Sequence, residues 1–301
     1  MFDRNTVVGA YFALAAYSIW GVAPLYFKTV AHVAPLEIIA HRVIWSVVLL
    51  LVILLLTQKF NLLKLPIKTL ALLFVSANLL AVNWLIFVFA ILNDQIVDTS
   101  LGYFMNPLVS VFLGMFFLGE RLRSWQAIAL ALAFVGILIQ LIFLGRVPLI
   151  SLTLAFSFGF YGLLRKNLNL PSVSGLAIET LLVLPFAVIY LSWQYHQGDI
   201  AFGQINLSTD LLLMLGGVIT SLPLLCFAAA VTRLSLTAVG IFQYLAPSLS
   251  LLIAVFYFHE PFTKVQLMSF GCVWAAIVMF TIESIQFHRK PLIQTQQVNH
   301  P

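Results

Sequence analysis

The stretch EIIAHRVIWS, Glu37 to Ser46, sets a carboxylate, an imidazole and a guanidinium within six positions and then runs straight into VVLLLVILLL. On a helix Glu37 and His41 are i and i+4, so they share a face with Trp45, and the stripe is about 12 Å long at about 1.5 Å per residue. An acid beside an imidazole suits acid–base work or proton exchange, and a flat indole beside them suits holding a solute. Arg42 is turned by about 100° from His41 and is expected to meet another neighbour or to reach outward along its stem. A charge at the bilayer centre costs about 2.5–3.5 kcal/mol on insertion scales, so these groups are expected to face a cavity or a partner and not lipid. Two roles fit Glu37 and His41. Either they line a vestibule with Trp45 as its apolar wall, or they are packing devices, with Glu37 near the positive start of its helix and paired to Lys28, and His41 bonded to a neighbouring helix.

Other polar and aromatic residues sit where a solute could meet them. Asn83 lies beside Trp84; Tyr103 and Asn106 precede Pro107; Gln243 and Tyr244 precede Pro247. A proline inside a helix frees the carbonyl one turn earlier, which bends the helix or offers an acceptor to a ligand, so Pro107 and Pro247 are expected to be structural breaks. Tyr17, Trp20 and Tyr161 are candidates for aromatic cavity walls. Ordinary helix packing is the competing reading for each of these residues; together they favour a cavity of mixed polar and apolar lining.

The elements that must position these side chains are membrane spans. The chain of 301 residues is 62% apolar and only 8% charged, with a mean hydropathy of +1.07, far from the usual quarter of charged residues in soluble chains. Apolar windows of about twenty residues predict ten helices near 8–28, 35–56, 69–91, 98–118, 124–144, 148–166, 175–195, 209–232, 236–258 and 264–285. The amino-terminal segment is expected to be a retained first span and not a cleaved signal peptide. The polar segment from 287 to 301, with two prolines, is expected to be an unstructured cytoplasmic tail. Lys and Arg in the connections and at the span ends fall eleven on the side of the amino terminus and three on the other, so both termini are expected in the cytoplasm. That bias absorbs the net charge of +5 and removes the only support for a nucleic-acid partner. Cys226 and Cys272 lie singly in apolar runs and read as small core residues.

The second half repeats the first. SIWG ending at Gly21 matches GFYG ending at Gly162, Glu37 in LEII matches Glu179 in IETL, and NPLVSVFLGMFFLGE matches APSLSLLIAVFYFHE, at offsets of 140 to 142. Five spans per repeat is an odd number, so the second copy must enter the bilayer from the opposite side. Inverted repeats are the sequence mark of carriers that expose a midplane site alternately to each side. Glu37 and Glu179 are then symmetry mates near opposite entrances. The basic pair breaks the symmetry, since His41 and Arg42 correspond to Val183 and Leu184, and this asymmetry is expected to favour anions or zwitterions. Glu120 and Glu260 follow the ends of their spans and are expected to cap the start of the next helix.

The stretches LAAYSIWGVAPLYFK, EIIAHRVIWS, SLGYFMNPLVSVFLGMFFLGERL, PLLCFAAAVTRL and GIFQYLAPSLSLLIAVFYFHEP resemble the RarD-type branch of the EamA family, in the drug/metabolite transporter superfamily. The likeness runs from about residue 8 to about residue 285. It implies an all-α polytopic protein of the bacterial inner membrane, with ten transmembrane helices as two inverted five-helix EamA repeats, 1–145 and 146–286. It implies no cargo; the branch is described by chloramphenicol sensitivity.

The expected activity is secondary transport of a small organic solute, such as a metabolite, an amino acid-like compound or a drug. The rival classes are a membrane scaffold or receptor and an intramembrane enzyme. HExxH, GxSxG and P-loop patterns are absent from the sequence, and neither a metal site nor a cofactor is expected. A carrier without a nucleotide site must run on a gradient or downhill, and Glu37, Glu179 and His41 are the groups that would exchange protons. Membrane lipids and the solute are the expected partners.

Overall fold

The computed structural model describes residues 3–57, 65–92, 96–259 and 263–298, the side chains of 91–98, 100 and 288–298 excepted. Every regular element among them is a helix: α1 (Arg4–Thr29), α2 (Pro35–Thr57), α3 (Ile67–Leu92), α4 (Ile96–Leu118), α5 (Ser124–Leu144), α6 (Leu149–Leu168), α7 (Ser172–Gln197), α8 (Leu207–Val231), α9 (Leu236–Gln243), α10 (Leu245–Phe256) and α11 (Lys264–Val298). The ninth window is split into α9 and α10, which together make one crossing, so ten crossings remain.

The ends of the spans have local causes. The Asp3 carboxylate accepts from the Asn5 amide at 2.6 Å and starts α1 earlier than hydropathy alone does. Left-handed Gly145 and Gly198 close α5 and α7. Pro247 has no N–H for the Gln243 carbonyl one turn earlier, and the helix breaks at Tyr244. Pro107 does not do the same: α4 runs unbroken through it. At the other end of the chain α11 continues as helix through Val298, so the unstructured tail expected from 287 is helical to that residue. Arg123 anchors its base, with Nη2 donating to Glu283 Oε2 at 2.6 Å and the guanidinium 4.0 Å from the Phe287 ring.

Nine described stretches are long and apolar enough to cross a membrane; α6 is the crossing that falls short. Its sequence holds Ser151, Thr153, Ser157, Gly159, Gly162 and Arg165. It tolerates them because it packs against α3 and α4 and buries most of those residues, leaving less of its surface to lipid. Elsewhere lipid-facing positions carry large apolar groups, such as Leu56, Phe116, Ile142 and Phe186.

The repeats interlock. Exchange α1 with α6, α2 with α7, α3 with α8, α4 with α9–α10 and α5 with α11, and the main helix contacts map onto themselves. The α1–α8 contact becomes α6–α3, α2–α8 becomes α7–α3, and α1–α10 becomes α6–α4, while α2–α7, α4–α9 and α5–α11 are their own images. The starts of α3 and α8, of α4 and α9, and of α5 and α11 are each 140 residues apart (67 to 207, 96 to 236, 124 to 264). The most extensive contacts are therefore made between repeats, and the core of the molecule is their shared seam.

Candidate functional site

Two ends of the bundle can be told apart by what they hold. At the near end, where α1 begins, lie Gly9, the α4–α5 turn, the end of α6 and the α8–α9 turn. At the far end lie the α1–α2 turn, the α7–α8 loop and the end of α10. A cavity of about 900 Å³ occupies the seam and reaches the far end, where Lys28, Phe143, Phe258 and Gln266 line it. Its inner part is lined by Trp20, Phe158, Asn106 and Gln243. Below that level the rings close ranks: Trp20 lies 5.8 Å from Phe158, Phe158 5.1 Å from Phe227, and Phe227 5.7 Å from Tyr161 in a stacked pair.

Two charged groups line this cavity, Lys28 at its mouth and Arg42 deeper in. Arg42 is the one built into the wall. Its Nε donates to Thr220 Oγ1 at 2.7 Å, and its guanidinium stands 5.3 Å from the Phe27 ring and 5.1 Å from the Trp84 ring. A close crossing of α2 and α8 puts it there. A Cβ on Gly216 would meet Tyr26 Oη at 2.6 Å and Arg42 Cγ at 3.0 Å, and one on Gly217 would meet the Trp45 carbonyl carbon at 2.4 Å. Ser46 Oγ then donates to the Gly217 carbonyl at 3.2 Å. The pair of glycines makes room for the stem of Arg42 and brings the guanidinium under the two rings.

His41 and Glu37, one face away, are elsewhere. Glu37 is fully buried and accepts from the Ala201 amide at 2.9 and 3.1 Å and from the Phe202 amide at 3.0 Å. The carboxylate thus clamps the α7–α8 loop to the start of α2 and takes no part in the cavity lining. His41 stacks on Phe202 with ring centroids 4.6 Å apart, and its Nε2 is 3.8 Å from Glu37 Oε1. Trp45 follows the same face, 6.4 Å from Phe202. The vestibule stripe expected from Glu37, His41 and Trp45 is therefore a packing face, because α2 is rotated to send Arg42 inward. Lys28, the partner expected for Glu37, sits over Phe258 at 4.0 Å.

Among the other expected site residues, Tyr17, Trp20, Asn83, Tyr103, Asn106, Gln243 and the break residue Pro247 line the cavity, whereas Tyr161, Glu179, Tyr244 and Pro107 do not. Asn83 Nδ2 donates to the Leu154 carbonyl and to Ser157 Oγ, both at 2.9 Å, so it also ties α3 to α6. Gln243 Nε2 donates to Ser110 Oγ at 3.0 Å across the α4–α9 seam. Asn106 Oδ1 is buried and accepts from no side chain or amide among the described residues. Sequence reasoning missed Arg42, Thr220, Phe158 and Gln140 as cavity residues. For Arg42 a signal existed: of the fifteen Lys and Arg it is the one left inside a span by the topology count.

The near end is closed by polar contacts, of which those of Glu120 and Ser76 cross between the repeats and the rest lie within the second. Glu120 accepts from the amides of Leu236 at 2.6 Å and Thr237 at 2.8 Å. It caps α9 of the other repeat, not the helix that follows it in sequence as expected, because the α4–α5 turn folds onto the start of α9. Its repeat mate Glu260 lies outside the described residues. Lys166 Nζ donates to the Val231 carbonyl at 3.2 Å and to the Leu234 carbonyl. Glu179 accepts from Ser76 Oγ at 2.6 Å and from Tyr161 Oη at 3.5 Å, and lies 3.8 Å from Arg165 Nη1. No group of three or more potential metal ligands occurs among the described residues.

The model of the EamA-like transporter family matches the chain twice, over 7–142 and 146–282. The chain belongs to the EamA-like transporter family. Within this EamA family it falls in the RarD branch, being 43% identical over 290 residues to Protein RarD of Escherichia coli, with 95% of this chain and 98% of that one covered. It is 45% identical over 289 residues to a Vibrio cholerae protein named as an uncharacterised transporter, with 94% and 95% covered. It is also similar, at 30% identity over 289 residues, to the Chloramphenicol-sensitive protein RarD of Pseudomonas aeruginosa, with 94% and 96% covered. One crystal structure superposes with a TM-score of 0.73 at 15% identity, covering 92% of this chain and 98% of that one, a likeness of fold. The twofold EamA match falls on the two sets of helices whose contacts interchange.

Proposed function

We propose that this membrane transporter is a secondary carrier that moves a small organic solute across the bacterial inner membrane by alternating access, with both termini in the cytoplasm. The observation that carries the reading is the one-sided cavity: about 900 Å³ of space reaches the far end of the seam, while Glu120 on the start of α9 and Ser76 on Glu179 join the repeats at the near end. Because the repeats are inverted copies, the opposite state is built by exchanging their conformations, which opens the near end and closes the far one. With the eleven-to-three excess of Lys and Arg on the near side, the cavity is the outward-facing one.

The energy source is a solute or proton gradient. Glu179, buried in the near-end seal beside Arg165, is the carboxylate whose protonation would loosen that seal. Counterflow in liposomes tests the carrier reading. A labelled cavity ligand should accumulate transiently against excess unlabelled ligand inside, and this should be lost when the near end is locked by a Leu118→Cys/Leu236→Cys crosslink. Counterflow that survives the lock would refute alternating access, and flux unchanged by pH gradients and uncouplers would refute proton coupling.

A further inference from the structure

We infer that the cavity selects organic monoanions, a carboxylate on a flat apolar body, with Arg42 as the group that binds the charge. This deepens the reading above and rests on the cavity being the substrate site.

Arg42 is held in place from several sides: Nε by Thr220, the stem by the gap at Gly216, and the guanidinium faces by Phe27 and Trp84. None of these partners carries a negative charge, and no described carboxylate lies within 4.0 Å of it. Protein groups normally neutralise a guanidinium kept partly out of water. Here the positive charge is oriented and has no counterion among the described residues. The terminal Nη1 and Nη2 are the edge of the fork that pairs with a carboxylate through two parallel bonds.

The rest of the lining points the same way. Lys28 adds a second cation at the mouth, and among the described residues the cavity has no Asp or Glu. A mouth with cations and apolar walls draws anions inward. Trp20, Phe87, Tyr103 and Phe158 supply flat faces for the body of the ligand. Asn106 Oδ1, without a partner deeper in the cavity, offers an acceptor to a donor at the ligand's far end. A zwitterion fits less well, since its ammonium would leave water with no carboxylate to meet. The symmetry argument agrees: the position equivalent to Arg42 is Leu184, so the charge-binding element is carried by one repeat alone.

Four probes share one ring and differ in charge: phenylacetate, phenylacetamide, phenylalanine and phenethylamine. Binding is measured on the purified full chain in detergent, by quenching of tryptophan fluorescence and by the shift in melting temperature. Phenylacetate should bind at least about tenfold more tightly than each of the other three, as expected for a charge-assisted pair. Arg42→Gln should weaken phenylacetate by at least about tenfold while leaving phenylacetamide unchanged, and Arg42→Lys should recover part of the loss. Thr220→Val, which only releases Nε, should give a smaller loss and serves if Arg42→Gln does not fold. His41→Val should leave phenylacetate binding as it is. Equal binding of the amide or the amine, unchanged binding in Arg42→Gln, or no binding by any probe would overturn the inference. Arg42-dependent binding without counterflow of phenylacetate would instead leave the anion site standing and remove the carrier.

Discussion

Glu37 shows what a single residue can and cannot reveal. Its type and place, in the first turn of a span, announced a buried carboxylate that needed partners. Two backbone amides, at Ala201 and Phe202, turn out to be those partners, and they lie more than 160 positions away in the chain. Replacing Glu37 by Ala leaves both N–H groups buried and unmet, at about 2–4 kcal/mol for the two. Glu37→Ala should therefore lower the melting temperature, while Glu37→Gln, which still accepts, should lower it less. Neither should change phenylacetate affinity, because the carboxylate is outside the cavity; a selective loss of affinity at unchanged stability would return Glu37 to the site. Arg42 is the converse case. Its presence in a span was visible, but whether it or His41 faced the cavity depended on a rotation that the local sequence does not fix.

At the scale of elements, the α2–α8 crossing and the α9–α10 break decide the geometry of the cavity. The Gly216–Gly217 pair lets α8 approach α2 closely enough for Thr220 to reach Arg42. Gly217→Ala places a methyl 2.4 Å from the Trp45 backbone, so the helices must separate. Overpacking of this kind costs about 1–3 kcal/mol. The variant should melt earlier and also lose phenylacetate affinity, unlike Glu37→Ala, and an unchanged affinity would show that the crossing does not position Arg42. The break at Tyr244 follows from the missing amide of Pro247. Pro247→Ala restores a donor to the Gln243 carbonyl and should stabilise a straight ninth span, raising the melting temperature and slowing counterflow by several-fold; faster counterflow would show that the break is not part of the working cycle. Pro107 carries the same sequence signal but sits in a continuous helix, so a proline alone does not specify a break. The helix around it is held by α6 and α9 on either side.

For the whole molecule the consequence of inversion is a difference in accessibility between the two ends. In a chain with Cys226 and Cys272 replaced by Ala, Ala254→Cys in the cavity wall should react with a membrane-impermeant maleimide from outside the cell. Leu236→Cys, at the near-end seal under Glu120, should be protected from either side until the carrier cycles. Rapid labelling of Leu236→Cys from outside would contradict the assignment of the two ends.

By itself the sequence determined that the chain crosses the bilayer ten times as two inverted halves, and it did so for a physical reason. Lipid imposes an apolar run of fixed length on every crossing, and a duplication of an odd number of crossings can only be inverted. It also supplied several of the aromatic and amide groups that line the cavity, among them Trp20, Asn83, Asn106 and Gln243. Tertiary structure alone decided which face of α2 meets the solute, which amides Glu37 and Glu120 serve, and which end is closed. Those outcomes depend on contacts between the repeats, and for a helix already apolar on every side, packing against distant partners sets the rotation that hydropathy leaves free.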